Sequence, residues 1–459
     1  MSGHTALQTV AFDEWRLHRV NACPALGRHY DEGDTRLAEL RFDPSPAADR
    51  LWELLLSEED RLAEARRRGA KLVGTMKDLG TVPVMAFSLP GVVAFYPDGA
   101  WWTPCLMQQA DGLFDLADAL GVDASFCPVR AMLGAFANGK RFPIPDLLTC
   151  SVGAVCDDFS AIAQRVEGLG HPILWWEMPY RRDPDPGEPS VVLPGGLAAP
   201  SCQVALVAAE LARVREALAT LSGTDLSDEL LSEGIRAANG VRASLRALRD
   251  AVFFAPLAPL PALELLIAEM LIIHFCSDRR NTEEVLASLR EEVARRIAGG
   301  RGYGSGDDAR LFWVNPVADL RAMQLVHACG ARLCGTDFLF THALEPIPEE
   351  LPPLEALARS ALADPMVGAS AQRAARIVAE MRRLGAEALV VSRIPGASHC
   401  AHEGSLIAEA AASQLGVPCL ELEIPSLSDP FSAALQTRLE ALVEAVRAAR
   451  PNRIHTRKA

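Results

Sequence analysis

Short apolar runs of strand length alternate with helix-periodic stretches in two separate blocks of this chain, a pattern that points to parallel sheets joined by right-handed helical crossovers. In the first block VVAFY (92–96) reads as a strand and Cys105 to Leu120 as a helix. DLLTCSV (146–152) and ILWWEM (173–178) then read as strands around a helix from Asp158 to Glu167. The second block opens with the strand LFWVN (311–315), a helix over Asp319 to Cys329 and the strand RLCG (332–335). After a loop at 345–353 come a helix near 369–384, the strand EALVVS (387–392), a helix over 403–415, the strand PCLELEI (418–424) and a last helix from 431 to 449.

What separates the blocks is of different character. Pro179 to Pro200 holds six prolines in 22 residues, which forbids helix and disfavours a central strand. Residues 202–298 are rich in Ala, Leu, Arg and Glu at helical spacing, with NTEE at 281–284 as an N-cap and acidic first turn. GGRGYGSGDD at 299–308 breaks the pattern and reads as a connection. The expected fold class is α/β, with two doubly wound parallel-sheet lobes, a helical middle region and a cleft between the lobes. The division expected is an N-terminal helical segment (1–64), a first lobe (65–180), a proline-rich linker (181–201), a helical region (202–298) and a second lobe (299–459).

Several function classes fall away on bulk properties. A chain of 459 residues exceeds what one hydrophobic core usually supports, and 49% hydrophobic with 23% charged residues is ordinary globular composition. A formal net charge of -14 leaves no basic excess to displace phosphate counterions, so a general nucleic-acid binder is not expected; the basic tail from Arg450 to Lys458 reads as a solvated end. MSGHTALQTVAFDEW lacks a basic start and apolar run, so no secretory leader and a cytoplasmic location are expected. Ala251 to Phe275 carries three prolines with Glu264 and Glu269, and so reads as a buried helix after a proline-rich corner, not a membrane span.

Eleven cysteines in such a chain should be mostly thiols, available for packing or metal. In open parallel sheets ligands sit beyond the carboxyl ends of the strands, which singles out Cys156 after DLLTCSV and Cys400 after EALVVS. Cys127 precedes Pro128 at a helix entrance, where amide groups favour a thiolate. Spacings of 29 and 244 residues match no compact ferredoxin run. On position alone, core packing, a cluster, and zinc with His399 and His402 as extra donors all stay open. Cys150 reads as core and is the next candidate after Cys156. Cys23, Cys105, Cys202, Cys276, Cys329, Cys334 and Cys419 read as packing. GAFANGKR (134–141) matches phosphate-loop spacing up to its lysine, but Arg141 stands where Ser or Thr must hold magnesium, so it is a false match. Trp101, Trp102, Trp175 and Trp176 read as core or interface, Asp157 and Asp158 as a helix start, and Arg438 and Glu440 as helix-surface residues paired with neighbours.

FCPVRAMLGAFANGKRFPIPDLLTCSVGAVCDDFSAIAQRVE, LFWVNPVADLRAMQLVHACGARLCG and SHCAHEGSLIAEAAASQLGVPCLELEIPSLSDPFSAALQTRLEALVEAV together resemble the 2-hydroxyacyl-CoA dehydratase and benzoyl-CoA reductase family, in particular its 2-hydroxyglutaryl-CoA dehydratase D-component-like subunits. The agreement in order and spacing runs over roughly 65–180 and 300–448. This resemblance implies one [4Fe-4S] cluster per subunit on Cys127, Cys156 and Cys400, leaving one iron open to substrate. It further implies a related partner subunit in a heterodimer, a separate ATP-dependent iron-sulfur activator, and one-electron reduction of a CoA thioester to a ketyl radical that either loses a hydroxyl or is reduced further. His399 and His402 are the candidates for proton transfer. Alternatives within the resemblance are a fused double-cubane cluster reducing small molecules, and a degenerate paralogue that keeps only the fold.

Overall fold

A computed structural model of the chain describes residues 5–33, 35–99, 110–154, 156–397, 403–425 and 432–456. The first sheet is built from β1 (Lys71–Met76), β2 (Val92–Phe95), β3 (Leu147–Gly153) and β4 (Ile173–Met178), ordered β2-β1-β3-β4 with every pairing parallel. The second contains β5 (Ala309–Val314), β6 (Ala331–Asp337), β7 (Ala388–Arg393) and β8 (Cys419–Glu423), ordered β6-β5-β7-β8, again all parallel. Both lobes thus repeat one topology. In each, the chain crosses back over its first strand, leaving a crevice at the carboxyl ends of the first and third strands.

The repeat extends to single residues. Met76 pairs with Cys150 at the last rung between β1 and β3, and Val314 with Val391 at the last rung between β5 and β7. The residue after each first strand, Lys77 or Asn315, has positive φ, 55° and 66° respectively. Non-glycine residues enter that region at a cost, and both are held by a serine on the neighbouring strand. Ser151 Oγ donates to the Lys77 carbonyl at 2.6 Å, and Ser392 Oγ to the Asn315 carbonyl at 2.9 Å.

Helices that bear on the site are α1 (Ala131–Asn138), α2 (Asp157–Gly168), α3 (Ser201–Ser222), α4 (Asp228–Phe254), α5 (Ala262–His274), α6 (Arg279–Ala298), α7 (Ser370–Leu384), α8 (Gly404–Leu415) and α9 (Ser432–Thr456). The stretch expected to be a buried helix after a proline corner is α5, apolar on nearly all sides. Its two carboxylates are both fully buried and each is met by donors. Glu264 accepts from the Asp43 amide (2.9 Å) and Trp52 Nε1 (3.4 Å), and Glu269 from Arg249 Nε and Thr336 Oγ1, both at 2.6 Å. Among the described residues no helix is long and apolar enough to cross a membrane.

Some expectations need correction. The sequence reading gave no strand over Lys71–Met76, yet β1 is central to the first sheet. Five of its six residues are buried, so it lacks the alternation of a half-exposed strand. A helix over Pro353–Ala363 begins where only a loop was read. The cap of α6 is Asp278, whose carboxylate accepts from the Asn281 amide, so the helix starts before NTEE. Inside the proline-rich segment Ser190–Val192 pairs antiparallel with Ala198–Pro200. Cys202 is exposed, not packed. The Cys105–Leu120 helix is described as Ala110–Ala119, with Cys105, Trp101 and Trp102 outside the described residues.

The phosphate-loop look-alike lies on α1 and past its end. A Cβ at Gly134 would sit 2.3 Å from the Leu113 carbonyl, so this glycine serves close helix packing. Arg450, the first residue of the basic tail, lies on α9 and pairs with Glu387 at 2.8 Å.

Candidate functional site

The crevices of the two lobes open onto one cavity of about 840 Å³, lined from the first lobe by Lys77, Ser151, Cys127 and Cys156 and from the second by Pro316 and Ala397. Cys156 is the N-cap of α2, in extended conformation after β3. Its sulfur makes no capping hydrogen bond to the helix, although the Phe159 and Asp158 amides nearby act to favour its charged form. Burial nevertheless dominates and pushes the thiol up to about 11, so the helix start does not make it a thiolate by itself. A metal bound there would have to displace the proton.

Cys127 precedes Pro128 at the start of a short 3-10 turn that runs into α1. Arg130 locks that turn by donating to Asp118 Oδ1 at 2.6 Å while its guanidinium stacks over Phe114. The Cys127 side chain packs against the first-lobe core and also against Ala318, Ile394 and Ala397 of the second. The lobes meet here. Gly396 has φ 78°, and a Cβ on it would lie 2.4 Å from the Phe126 carbonyl.

Cys400, His399 and His402 lie outside the described residues. The residues on either side of that segment are fixed against the site. Ala397 packs on Cys127, and Glu403 accepts from Arg373 Nη1 (2.5 Å) and Ser370 Oγ (2.7 Å). Arg373 also donates to Asp337 Oδ2 at 2.7 Å and to Asn315 Oδ1 at 2.9 Å. Asp337 at the end of β6 is held far below its ordinary value by Arg373, His342 and Arg376, which together outweigh the opposing effect of its burial.

Two residues that the sequence reading passed over line the same cavity. Lys77 Nζ donates to Ser160 Oγ on α2 at 2.9 Å, and its charge lies near Cys150 and Cys156. Burial lowers its affinity for the proton, although those neighbours act the other way. Asp98, also on the cavity wall, is pushed up to about 6 by burial, and its Oδ1 has no hydrogen-bond partner among the described residues. A lysine after β1 would have been a candidate had that strand been recognised; Asp98 lies two residues past the strand read at 92–96, with no motif around it to mark it.

Of the remaining cysteines, Cys150 is fully buried within β3, as read, and its thiol is pushed up to about 12 by burial. Cys23, Cys276, Cys329 and Cys334 are also buried. Trp176 lines the cavity, while Trp175 lies partly exposed beside Glu167. Arg438 donates to the Glu421 carbonyl and Glu440 accepts from Gln436, so each bonds to a neighbour. Among the described residues no group of three or more His, Cys, Asp or Glu is arranged to hold a metal ion, which leaves a three-cysteine site dependent on Cys400.

No curated protein matches the chain. The model of one family, 2-hydroxyglutaryl-CoA dehydratase, D-component, matches residues 82–446, a span that holds both sheets except β1 and all three candidate cysteines. The chain therefore belongs to the 2-hydroxyglutaryl-CoA dehydratase D-component family.

Proposed function

We propose that this chain is the iron-sulfur subunit of an acyl-CoA dehydratase or reductase, with a [4Fe-4S] cluster on Cys127, Cys156 and Cys400. The observation that supports it best is the convergence of Cys127 and Cys156 on one cavity at the crevices of both lobes, with Ala397 against Cys127 just ahead of the segment that carries Cys400. Once bound, such a cluster supplies single electrons to a CoA thioester.

The chain's own residues do the rest. Two helix starts aim amides or a fixed turn at the cysteines, and Lys77 sets a positive charge beside Cys156, favouring its deprotonated form. The cavity, at about 840 Å³, is large enough for an acyl group with part of its carrier and keeps much of the wall apolar. Removing a hydroxyl and a hydrogen requires a proton donor and an acceptor. On the wall, Asp98 with its raised carboxyl is suited to hold a proton at Oδ1. His274, bonded through Nδ1 to Glu58 at 2.9 Å, is suited to exchange one at Nε2. A related partner subunit and an ATP-dependent activator follow from the family and belong to this proposal.

Iron and acid-labile sulfide analysis after anaerobic purification tests it. Wild type should hold one cubane per chain, and Cys127→Ala, Cys156→Ala and Cys400→Ala should each lose most of the iron, while Cys150→Ala keeps it. Full iron in all three variants would sink the assignment. About twice the iron would instead favour a fused cluster.

A further inference from the structure

Lys77 lays a positive charge across the loop that bears Cys156. Its Nζ donates to the Gly153 carbonyl at 3.3 Å and to Ser160 Oγ at 2.9 Å, so the half-buried ammonium straddles the turn from β3 into α2. Ser160 Oγ in turn donates to the Cys156 carbonyl at 3.4 Å. Both partners of Nζ are neutral, and among the described residues no carboxylate forms an ion pair with it. Burial opposes its charge, and the groups that favour it are Cys150, Cys156 and Asp157. Cys150 supplies no anion, because burial pushes its thiol up to about 12. Asp157 acts from the first turn of α2.

The second lobe fills the matching position differently. Asn315, also at positive φ after the first strand of its sheet, is neutral and fully buried. Its Oδ1 accepts from Arg373 and its Nδ2 donates to the Ser392 carbonyl at 3.0 Å. Asparagine enters that backbone region more readily than lysine does, so the turn alone gives no reason for a lysine at 77. A half-buried cation without a carboxylate partner does have one if an anion is bound beside it.

We infer that Lys77 is the counter-cation of the cluster held at Cys156 and sets how readily that cluster takes up an electron. This rests on the iron-sulfur reading above and extends it to the reduction potential. Lys77 is a positioning residue, acting through Cys156 and its loop without touching substrate. Uptake of one electron from an external reductant gives the cluster one more negative charge, while no bond to Lys77 forms or breaks and no proton moves. A fixed positive charge in a partly desolvated site stabilises the reduced form more than the oxidised one, and so raises the potential.

The test is a mediated potentiometric titration followed by EPR on the full-length protein, purified without oxygen, with iron and sulfide measured on the same samples. Lys77→Gln keeps an N–H donor for Gly153 and Ser160 but removes the charge, whereas Lys77→Arg keeps the charge. Lys77→Gln should hold as much iron as wild type while its equilibrium constant for one-electron reduction falls tenfold or more, a midpoint lower by at least about 59 mV. Lys77→Arg should lie closer to wild type than Lys77→Gln does. An unchanged midpoint in Lys77→Gln overturns the inference, and so does an equal shift in both variants, which would trace to loop geometry. Loss of iron from Lys77→Gln, or its failure to fold, shows a structural strap and also overturns it. Each of these outcomes leaves the iron-sulfur reading standing; wild type without iron or sulfide overturns both.

Discussion

Glycines and serines at the crevices do work that no composition count reveals. Gly396 lies where the second lobe meets the Phe126 carbonyl, so Gly396→Ala would force both a disfavoured φ and a clash between lobes. We expect about 1–3 kcal/mol of lost stability in urea unfolding, with faster loss of iron from the variant. Ser392 is more heavily used than its counterpart Ser151. Its hydroxyl contacts the Val314, Asn315 and Pro316 carbonyls and accepts from Trp313 Nε1. Ser392→Ala strands the buried indole N–H and should cost about 1–3 kcal/mol by the same measurement. Ser151→Ala, which removes one bond to the Lys77 carbonyl, should cost less. The cysteines themselves were legible because Cys156 and Cys400 follow strand-like runs in the sequence and Cys127 precedes a helix-like one. Lys77 and Asp98 were not, since their meaning is an absent partner, and absence of a partner is a property of three-dimensional surroundings.

At the scale of elements, α5 links the N-terminal segment to both lobes and carries the clearest pH dependence. Burial, with Asp43 adding repulsion, pushes the Glu264 carboxyl up to about 8 from an ordinary 4.5. Between those values the folded chain holds a proton that the unfolded chain has released, so stability falls as pH rises through that window. Glu264→Gln should remove this slope: its urea midpoint, relative to wild type, should rise from about pH 5 to about pH 8. A constant offset at both pH values would contradict it. Asp43, whose carboxyl Arg296 holds below its ordinary 3.8, acts with the opposite sign at lower pH. Helices were legible wherever their apolar positions recur at helical spacing, as in α3, α4, α7 and α9. The misses have local causes. In β1, KLVGTM is buried nearly throughout and mixes Gly and Thr with its apolar residues. In LPPLEALARSALA the two prolines read as a loop, but Pro353 occupies the first helical turn, where a missing N–H costs nothing.

For the whole molecule, the central fact is two lobes of one topology facing each other across a cavity to which α4 adds its arginines. A group held by cysteines from both lobes would tie them together. Removing iron with a chelator should therefore lower the melting temperature and speed amide exchange around 127–130, 156–160 and 394–397, while leaving α3 and the far end of α4 unchanged. Uniform change across the chain, or none, would count against a cross-lobe cluster. Sequence by itself determined the α/β class, most strand and helix positions and the buried character of α5, because these depend on local periodicity and motif order. Tertiary structure decided that β1 is a central strand, that the crevices of both lobes share one cavity, and that burial keeps the Cys156 thiol protonated despite its helix start. It also decided which charges are matched and which, as at Lys77, are not. Desolvation and charge pairing are set by residues far apart in the chain, such as Lys77 with Ser160 or Arg373 with Asn315, and no local pattern encodes them.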